Sequence, residues 1–232
     1  MPPPSSDKTL LLIGASRGLG FALAAEYLKR GWRVVATERD GATSKLHDLA
    51  RAAEGRLEIE NVDIVYPDQV AALRARLASR KFGLLFVNAG VGGREMIADV
   101  STDEFIRVIV TNALSPMRVV EILQDLVLPT GTIGIMSSGQ GSISNNERGG
   151  AEVDRGSKAA LNQYMRCYAA RHAGEPRALV LMAPGWIRTA LGGPNAPFSI
   201  EETIPKVVDV LLSQQGKPGL QFLDREGRTV PW

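Results

Sequence analysis

Short runs of apolar residues alternate along the chain with longer stretches in which apolar residues recur at helical spacing. The short runs are typical of strands buried on both faces, and the longer stretches of amphipathic helices. Their alternation predicts βα units around a parallel sheet, and therefore an α/β fold. The predicted strands are Thr9–Ile13, Arg33–Thr37, Leu57–Ile59, Leu84–Val87, Thr132–Met136, Ala178–Met182 and Leu220–Leu223. The predicted helices are Leu19–Lys29, a segment through Leu46 and Leu49, Pro67–Leu77, Ser101–Leu126, a helix that contains Ser157–Ala170, and Glu201–Leu212.

No internal repeat or linker divides this pattern. The chain has 232 residues, which is enough for one large core, and α/β domains of this size are often undivided. We therefore expect a flexible N-terminal tail over residues 1–7 and a single domain over residues 8–232. The one long irregular stretch, near 184–200, is interpreted as a substrate loop, because such stretches in compact domains are usually lids or binding loops.

Composition and charge exclude several classes of protein. The formal net charge is only +2 and the basic residues are scattered among acidic ones, so no nucleic-acid partner is expected. No apolar run is long enough to span a membrane, so no membrane association is expected and a cytoplasmic location is predicted. The single cysteine, Cys167, is interpreted as a buried, inert thiol, and Met96, Met117 and Met165 as core residues. His47 and His172 are interpreted as isolated surface residues, so no metal site is expected.

A glycine-rich turn joins the first predicted strand to the first predicted helix. Gly14, Gly18 and Gly20 have the spacing G-x-x-x-G-x-G. Glycines let the backbone approach a pyrophosphate closely, and the free N–H groups and dipole of a helix N-terminus favour its negative charge. No Lys-Ser/Thr pair follows the turn, which argues against a nucleoside-triphosphate loop. A plain glycine turn without a ligand is the alternative, but it leaves the later motifs of the chain unexplained.

Two further motifs lie later in the chain, Asn88-Ala89-Gly90 and Pro184-Gly185 with Thr189. Together with the glycine turn at residues 14–20, they resemble the short-chain dehydrogenase/reductase family over nearly the whole chain. In that family the corresponding segments are the glycine turn, the turn beside the adenine ribose and the segment at the nicotinamide carboxamide. The loop 139–150 and the ending 227–232 resemble a C-factor-like subgroup. The resemblance implies a Rossmann-type doubly wound parallel sheet of about seven strands, a nicotinamide cofactor and a small-molecule substrate. The cofactor-binding residues that it implies are Gly14, Ser16, Arg17, Gly18, Leu19, Gly20, Arg39, Asp63, Asn88, Ala89, Gly90, Lys158, Pro184, Gly185, Ile187 and Thr189.

Two arginines indicate which dinucleotide is bound. Arg17 lies within the glycine turn, and Arg39 follows the second predicted strand. NAD binders usually place an acid at the end of that strand to bond the ribose 2′-hydroxyl, whereas a nearby arginine accommodates a 2′-phosphate. The arginines therefore favour NADP(H) over NAD(H). Glu38 and Asp40 complicate this prediction, since either can repel a phosphate or bond a hydroxyl, and all four charges can equally be solvated surface groups.

The catalytic positions of the family match with one exception. In the family, a Tyr exchanges a proton with the substrate, a Lys one helical turn later lowers the pKa of that Tyr, a Ser holds the carbonyl, and an Asn supports a water chain. Asn112, Ser138 and Lys158 occupy three of these positions, but Asp154 occupies the position of the Tyr. The resemblance therefore implies an active site with a carboxylate where the family has a phenol.

An aspartate is expected to change the proton chemistry. Its unperturbed pKa is about 3.9, so it is ionised at neutral pH. Lys158 lies one turn away, and we expect it to lower the pKa of Asp154 further and to form an i,i+4 ion pair with it. An ionised carboxylate can accept a proton but cannot donate one.

We therefore expect an NADP-dependent oxidoreductase that acts on a carbonyl or alcohol substrate with impaired or altered proton transfer. One alternative is a lyase or isomerase that uses Asp154 as its base, and another is a catalytically silent cofactor-binding protein. Retention of Asn112, Ser138 and Lys158 weighs against the silent protein. The resemblance also implies a homodimer or homotetramer, because family members commonly pair through the helices that here carry Asn112 and Lys158.

Overall fold

A computed structural model describes residues 8–41, 44–93 and 95–232, so the tail expected at 1–7 lies outside the described residues. The strands are β1 Thr9–Ile13, β2 Arg33–Glu38, β3 Leu57–Asn61, β4 Phe82–Val87, β5 Val127–Met136, β6 Ala178–Ala183 and β7 Gly219–Asp224. The helices are α1 Gly18–Lys29, α2 Leu46–Ala52, α3 Pro67–Arg76, α4 Thr102–Ile109, α5 Ser115–Leu123, α6 Glu152–Arg171 and α7 Ile200–Ser213. These strands form one seven-stranded sheet in the order β3-β2-β1-β4-β5-β6-β7 within the described residues, and all of their pairings are parallel.

Apolar side chains alternate between the two faces of the sheet. In β1, Leu11 and Ile13 belong to a core cluster shared with α3, α5 and α6, whereas Leu10 and Leu12 belong to a cluster shared with α1, α2 and α7. Because both faces are covered by helices, the central strands β4 and β6 are buried at every position, which explains their continuous apolar runs. The predicted single-domain, doubly wound α/β fold is confirmed.

The chain reverses its direction of travel across the sheet at β1. It proceeds outward from β1 to β2 and β3, and then crosses over to place β4 on the other side of β1. The backbone N–H groups of Asn88 and Ala89 donate to the carbonyl oxygen of Ile13 at 2.9 and 3.0 Å, which joins the ends of β1 and β4. In open α/β sheets, ligands bind in the crevice at such a point.

One helix departs from its predicted course. The helix expected over 101–126 is interrupted after α4 by a π-helical segment, Val110–Leu114, and resumes as α5. Ser101 caps α4 as expected, since its Oγ accepts a hydrogen bond from Glu104 N at 3.2 Å. Helix α6 begins at Glu152, shortly after the loop 139–150, and contains the segment Ser157–Ala170 that was expected to be helical.

Two side chains predicted to be buried are exposed. Cys167 lies on the outer face of α6, where the side-chain amide of Gln163 donates to its Sγ at 3.6 Å, so the expected buried thiol is wrong. Met96 is 41% exposed in the loop that follows β4 and is not a core residue, whereas Met117 and Met165 are buried in the core as predicted. No helix among the described residues has the length and apolar character needed to cross a bilayer.

Candidate active site

The glycine turn joins β1 to α1 at the carboxyl edge of the sheet. Gly14 and Gly18 have φ angles of +87° and +56°, which favour glycine because it has no Cβ. A Cβ at Gly20 would collide with the carbonyl oxygen of Gly14 and lie 2.7 Å from Asn88 Nδ2. Helix α1 therefore packs directly against the turn only because Gly20 carries no side chain.

Strands β2 and β4 hold the turn in place. Thr37 Oγ1 accepts a hydrogen bond from Gly14 N at 2.9 Å, and Thr37 O accepts one from Ala15 N at 2.7 Å. From the other side, Asn88 Nδ2 donates to Gly14 O at 2.8 Å, and a Cβ built on Gly14 would lie 2.8 Å from Ala89. Thr37 was not among the predicted site residues, and its only sequence signal is a hydroxyl near the end of an apolar strand.

The N-terminus of α1 is an open, positively charged cradle. Arg17 at the N-cap position is extended, no described side chain caps the helix, and its first turn contains no acid. Arg17 and Arg39 are exposed, and the guanidinium group of neither has a hydrogen bond or ion pair to another described residue. Ser16 and Leu19 are partly buried around the same turn, and Gly18 faces open space. These features fit the pyrophosphate of a dinucleotide.

The two acids that complicated the cofactor prediction both have hydrogen-bond partners. Glu38 is only 4% exposed, and its carboxylate accepts a hydrogen bond from Ser44 Oγ at 2.5 Å and lies 2.6 Å from His47 Nε2. Asp40 accepts a hydrogen bond from the backbone N–H of Gly41 at 3.0 Å. His47 is an exposed surface residue, as expected, but it is not isolated, because it is the partner of a buried acid.

Two further segments border the crevice on the side of β3 and β4. Asp63, after β3, closes a turn in which its Oδ1 accepts a hydrogen bond from Val65 N at 3.0 Å and its own N–H donates to Gln69 Oε1 at 2.8 Å. Gly90, after β4, is exposed, and a Cβ built on it would lie 3.3 Å from Asn112 Oδ1 and 3.8 Å from Lys158 Nζ. The structure thus brings Asn112 and Lys158 together at Gly90.

Asn112 is fully buried in the π-helical segment and is held by the loop after β4. Its Oδ1 accepts from Val91 N and its Nδ2 donates to Val91 O, both at 2.9 Å. Its Nδ2 also donates to Ser157 Oγ at 3.1 Å, and Ser157 Oγ donates to the carbonyl oxygen of Asp154 at 2.8 Å. Ser157 is a link between the two helices that the sequence analysis missed, because nothing in the sequence distinguishes it from an ordinary helical serine.

Lys158 extends from α6 towards the end of β5. Its Nζ donates to Met136 O at 3.1 Å, two residues before Ser138. Burial lowers the pKa of Lys158, and the nearby Asp154 carboxylate acts in the opposite sense. Ser138 Oγ accepts a hydrogen bond from Gln140 N at 3.1 Å, which leaves the hydroxyl hydrogen available to a carbonyl oxygen.

The expected ion pair between Asp154 and Lys158 is wrong. The carboxylate of Asp154 has no hydrogen bond or ion pair to another described residue, while its backbone N–H donates to Gly93 O at 3.1 Å. Burial raises the pKa of Asp154, and the opposing attraction of Lys158 and Arg155 does not offset this effect. The expectation of a lowered pKa is therefore also wrong, because desolvation of the charged form outweighs the neighbouring cations.

The start of α6 has an unusual backbone. Gly149, Gly150 and Ala151 have φ angles of +63°, +72° and +46°, and an alanine rarely adopts such a conformation. Glu152, the first residue of the helix, accepts a hydrogen bond from Ile97 N at 2.8 Å through its Oε2. These contacts fix the first turn of α6, which carries Asp154, against the loop after β4.

The segment after β6 folds back on itself and lies against the loop after β4. Pro184 is buried, Gly185 has a φ of +95°, and Ile187 is 4% exposed. Thr189 Oγ1 accepts a hydrogen bond from Gly192 N at 2.9 Å. Further along, Leu191 packs so closely on Gly92 that a Cβ built on Gly92 would lie 2.7 Å from Leu191 Cδ1. The segment ends where α7 begins, at a capping box formed by Ser199 and Glu202.

Residues 8–198 match the family model for short chain dehydrogenase. The chain belongs to the short-chain dehydrogenase/reductase family. It is 33% identical over 156 residues to C-signal from Myxococcus xanthus, a match that covers 64% of this chain and 92% of that protein. It is 30% identical over 186 residues to 1-hydroxy-2-glutathionyl-2-methyl-3-butene dehydrogenase from Rhodococcus sp. strain AD45, with 79% of each chain covered.

Solved structures of family members are also similar. A Burkholderia multivorans protein described as a short-chain dehydrogenase/reductase, with bound NADP, superposes with a TM-score of 0.95 at 60% identity, covering 97% of this chain and 99% of that one. A carbonyl reductase from Pseudomonas aeruginosa PAO1 in complex with NADP gives a TM-score of 0.90 at 32% identity with the same coverage. The predicted family is confirmed, and this short-chain dehydrogenase/reductase belongs to a group of oxidoreductases.

Proposed function

We propose that this short-chain dehydrogenase/reductase binds NADP(H) and interconverts a carbonyl compound and its alcohol, with Asp154 in place of the catalytic Tyr of the family. The convergence of Asn112 and Lys158 at Gly90, beside the open glycine turn, carries the proposal. A cofactor cradle with a lysine beside it that can bond the nicotinamide ribose suits a nicotinamide-dependent reductase. The NADP bound to two similar structures supports the choice of dinucleotide.

The residues around the turn fit a dinucleotide with a 2′-phosphate. The open N-terminus of α1 would hold the pyrophosphate, and the exposed guanidinium groups of Arg17 and Arg39 would bind the 2′-phosphate. Asp63 and Asn88–Gly90 would border the adenosine, and Pro184–Thr189 the nicotinamide. When bound, the nicotinamide supplies or accepts the two electrons and the hydrogen that change the oxidation state of the substrate carbon.

Ser138 and Asp154 would act on the oxygen of the substrate. The free hydroxyl hydrogen of Ser138 would hold the carbonyl oxygen, and the neutral carboxyl of Asp154 would donate a proton to it. Burial raises the pKa of Asp154, so this carboxyl retains a proton more readily than an exposed aspartate does. In the reverse direction its carboxylate would accept the proton of the alcohol. Asp154 then exchanges its proton with water, and Lys158 would bond the ribose.

Apolar side chains beside the crevice indicate the kind of substrate. Met96 and Ile97 in the loop after β4 are 41% and 57% exposed, and Trp186 and Leu191 in the loop after β6 are 55% and 58% exposed. Both loops leave the carboxyl edge of the sheet, and Leu191 joins them by packing on Gly92. We propose that residues 184–200 are the substrate loop and that the substrate is a carbonyl compound with an apolar body.

Turnover with a panel of ketones and aldehydes tests this proposal. Consumption of NADPH is followed by absorbance and the products by chromatography, for the native chain, Asp154→Asn and the control Asp68→Asn, an exposed aspartate on α3. Asp154→Asn should slow reduction by on the order of a hundred- to ten-thousandfold, because the amide cannot donate the proton, and Asp68→Asn should not. Reduction unaffected by Asp154→Asn would refute the role of Asp154. If product forms without consumption of NADPH, the protein is a lyase or isomerase. If no product forms with any compound of the panel, the protein is catalytically silent.

We also propose that the protein is a homodimer or a homotetramer, located in the cytoplasm. Phe105 and Ile106 on α4, Leu114 in the π-helical segment and Tyr164 on α6 are exposed apolar side chains on the helices that carry the site. Apolar surface of this kind on neighbouring helices suits a symmetric interface. Light scattering should show an oligomer for the native chain, and Leu114→Glu should dissociate it. The control Ile143→Glu, on the loop after β5, should leave the oligomer intact. A native monomer at micromolar concentration would contradict the proposal.

A further inference from the structure

A buried acid stands at the end of β2, where the cofactor site begins. Glu38 is the last residue of the strand, and Thr37 before it bonds both Gly14 and Ala15 of the glycine turn. Arg39 directly after it is exposed. An acid at this position usually bonds the ribose 2′-hydroxyl of NAD. By position alone, Glu38 is placed to favour NAD(H) and to oppose a 2′-phosphate.

The side chain of Glu38 is instead turned into the protein. Ser44 Oγ donates to Glu38 Oε2 at 2.5 Å, and His47 Nε2 lies 2.6 Å from Glu38 Oε1, so each carboxylate oxygen has its own partner. Only 4% of Glu38 is exposed, whereas the side chain of its partner His47 is 48% exposed. Ser44 Oγ is itself oriented by the backbone N–H of Leu46 at 3.2 Å. Both partners are thus anchored at the start of α2.

The negative charge of Glu38 would affect cofactor binding if its side chain pointed into the crevice. A carboxylate released towards the crevice would neutralise Arg39 and repel a 2′-phosphate, while it would accept a hydrogen bond from a 2′-hydroxyl. Removing Glu38 from the crevice leaves Arg39 as the exposed cation next to it in the chain, followed by the exposed Asp40, which accepts a hydrogen bond from Gly41 N. Binding of NADP(H) therefore depends on where the carboxylate points as well as on the arginines.

We infer that Ser44 and His47 form a latch that holds the Glu38 carboxylate away from the cofactor and so sets the preference for NADP(H) over NAD(H). The inference rests on the proposed binding of NADP(H). Ser44 and His47 are positioning residues that act through Glu38, and neither is required to touch the dinucleotide.

Dissociation constants of NADPH and NADH, measured by fluorescence titration, test the latch. The ratio of the two constants is compared between the native chain and the double variant Ser44→Ala/His47→Ala. The double variant should lose about tenfold or more of its preference for NADPH, because the freed carboxylate opposes the 2′-phosphate and bonds the 2′-hydroxyl. A native chain that prefers NADH would contradict the proposed function itself, whereas a native preference for NADPH that survives in the double variant would overturn the latch alone.

The same double substitution in a Glu38→Gln background separates the latch from a structural effect. Glutamine keeps the shape of Glu38 but carries no charge, so release of its side chain should leave the cofactor ratio unchanged. If the ratio falls as far in this background as with Glu38 present, Ser44 and His47 support the loop structurally and the latch is refuted. Should the double variant fail to fold, the single variant His47→Ala in both backgrounds replaces it, with the same two outcomes.

Discussion

Replacing Asp154 with Asn should stabilise the protein, and the gain should grow as the pH rises. The carboxyl is partly buried without a described hydrogen-bond partner, and burial raises its pKa above the unfolded value of about 3.9. Below the unfolded pKa the carboxyl is neutral in both states and no penalty arises. As the pH rises through the folded pKa, the folded state loses stability because it must bury a charge. The loss approaches about 1.4 kcal/mol for each unit by which the pKa is raised.

Urea denaturation of the native chain and of Asp154→Asn, from about pH 4 to about pH 8, measures this difference directly. The same pair in a Lys158→Met background is the matched comparison. Lys158 lowers the pKa of Asp154, so its removal should raise that pKa further and widen the gap between Asp and Asn at high pH. A gap that does not change with pH, or one that favours Asp154 as the pH rises, would refute the reasoning. A gap that favours Asp154 as the pH rises would mean that the carboxylate is ionised and paired, as the sequence alone suggested, whereas a constant gap would mean that folding does not shift its pKa.

Three substitutions test other parts of the site. Arg39→Ala should weaken NADPH binding by on the order of 1.5–3 kcal/mol in calorimetric titrations and leave NADH binding little changed. Arg51→Ala, at an exposed arginine on α2, is the control, and an equal loss for both cofactors would contradict the role of Arg39. Asp154→Tyr should raise the rate of ketone reduction at saturating NADPH, because a phenol has the longer reach, and an unchanged rate would place the proton donor elsewhere. Gly20→Ala should lower the melting temperature, because the added methyl group collides with the glycine turn. Gly139→Ala should not lower it, because Gly139 faces open space. Equal melting temperatures for the two variants would refute the close packing at Gly20.

Most of the fold was predictable because each strand carries its own signal. A central strand covered on both faces must be apolar at consecutive positions, and the short run from Leu10 to Ile13 has both the length and the composition that such a strand requires. The glycine turn was predictable for a similar reason. Close packing of Gly20 against Gly14, and a positive φ at Gly14 and Gly18, exclude most other residues, so the sequence records the geometry directly.

The π-helical segment and the start of α6 could not be predicted in this way. Asn112 is held in the π-helical segment by its two hydrogen bonds to Val91, a contact between residues far apart in the chain. Ala151 adopts a positive φ that its residue type disfavours, so local preference points away from the observed backbone. In both places tertiary contacts decide the conformation, and a local sequence pattern does not contain them.

Glu38 and Asp154 show why the chemistry of a carboxylate does not follow from its place in a motif. Both lie beside cations in the sequence, and both were expected to act through a negative charge. Glu38 is the more deeply buried, yet each of its oxygens has a partner, so its side chain is fixed away from the crevice. Asp154 is less buried, but its carboxylate has no hydrogen-bond partner among the described residues. Desolvation therefore raises its pKa with no hydrogen bond to oppose the effect. A carboxyl in that position is drawn towards its neutral form, which makes Asp154, rather than Glu38, the acid suited to exchange a proton with a substrate.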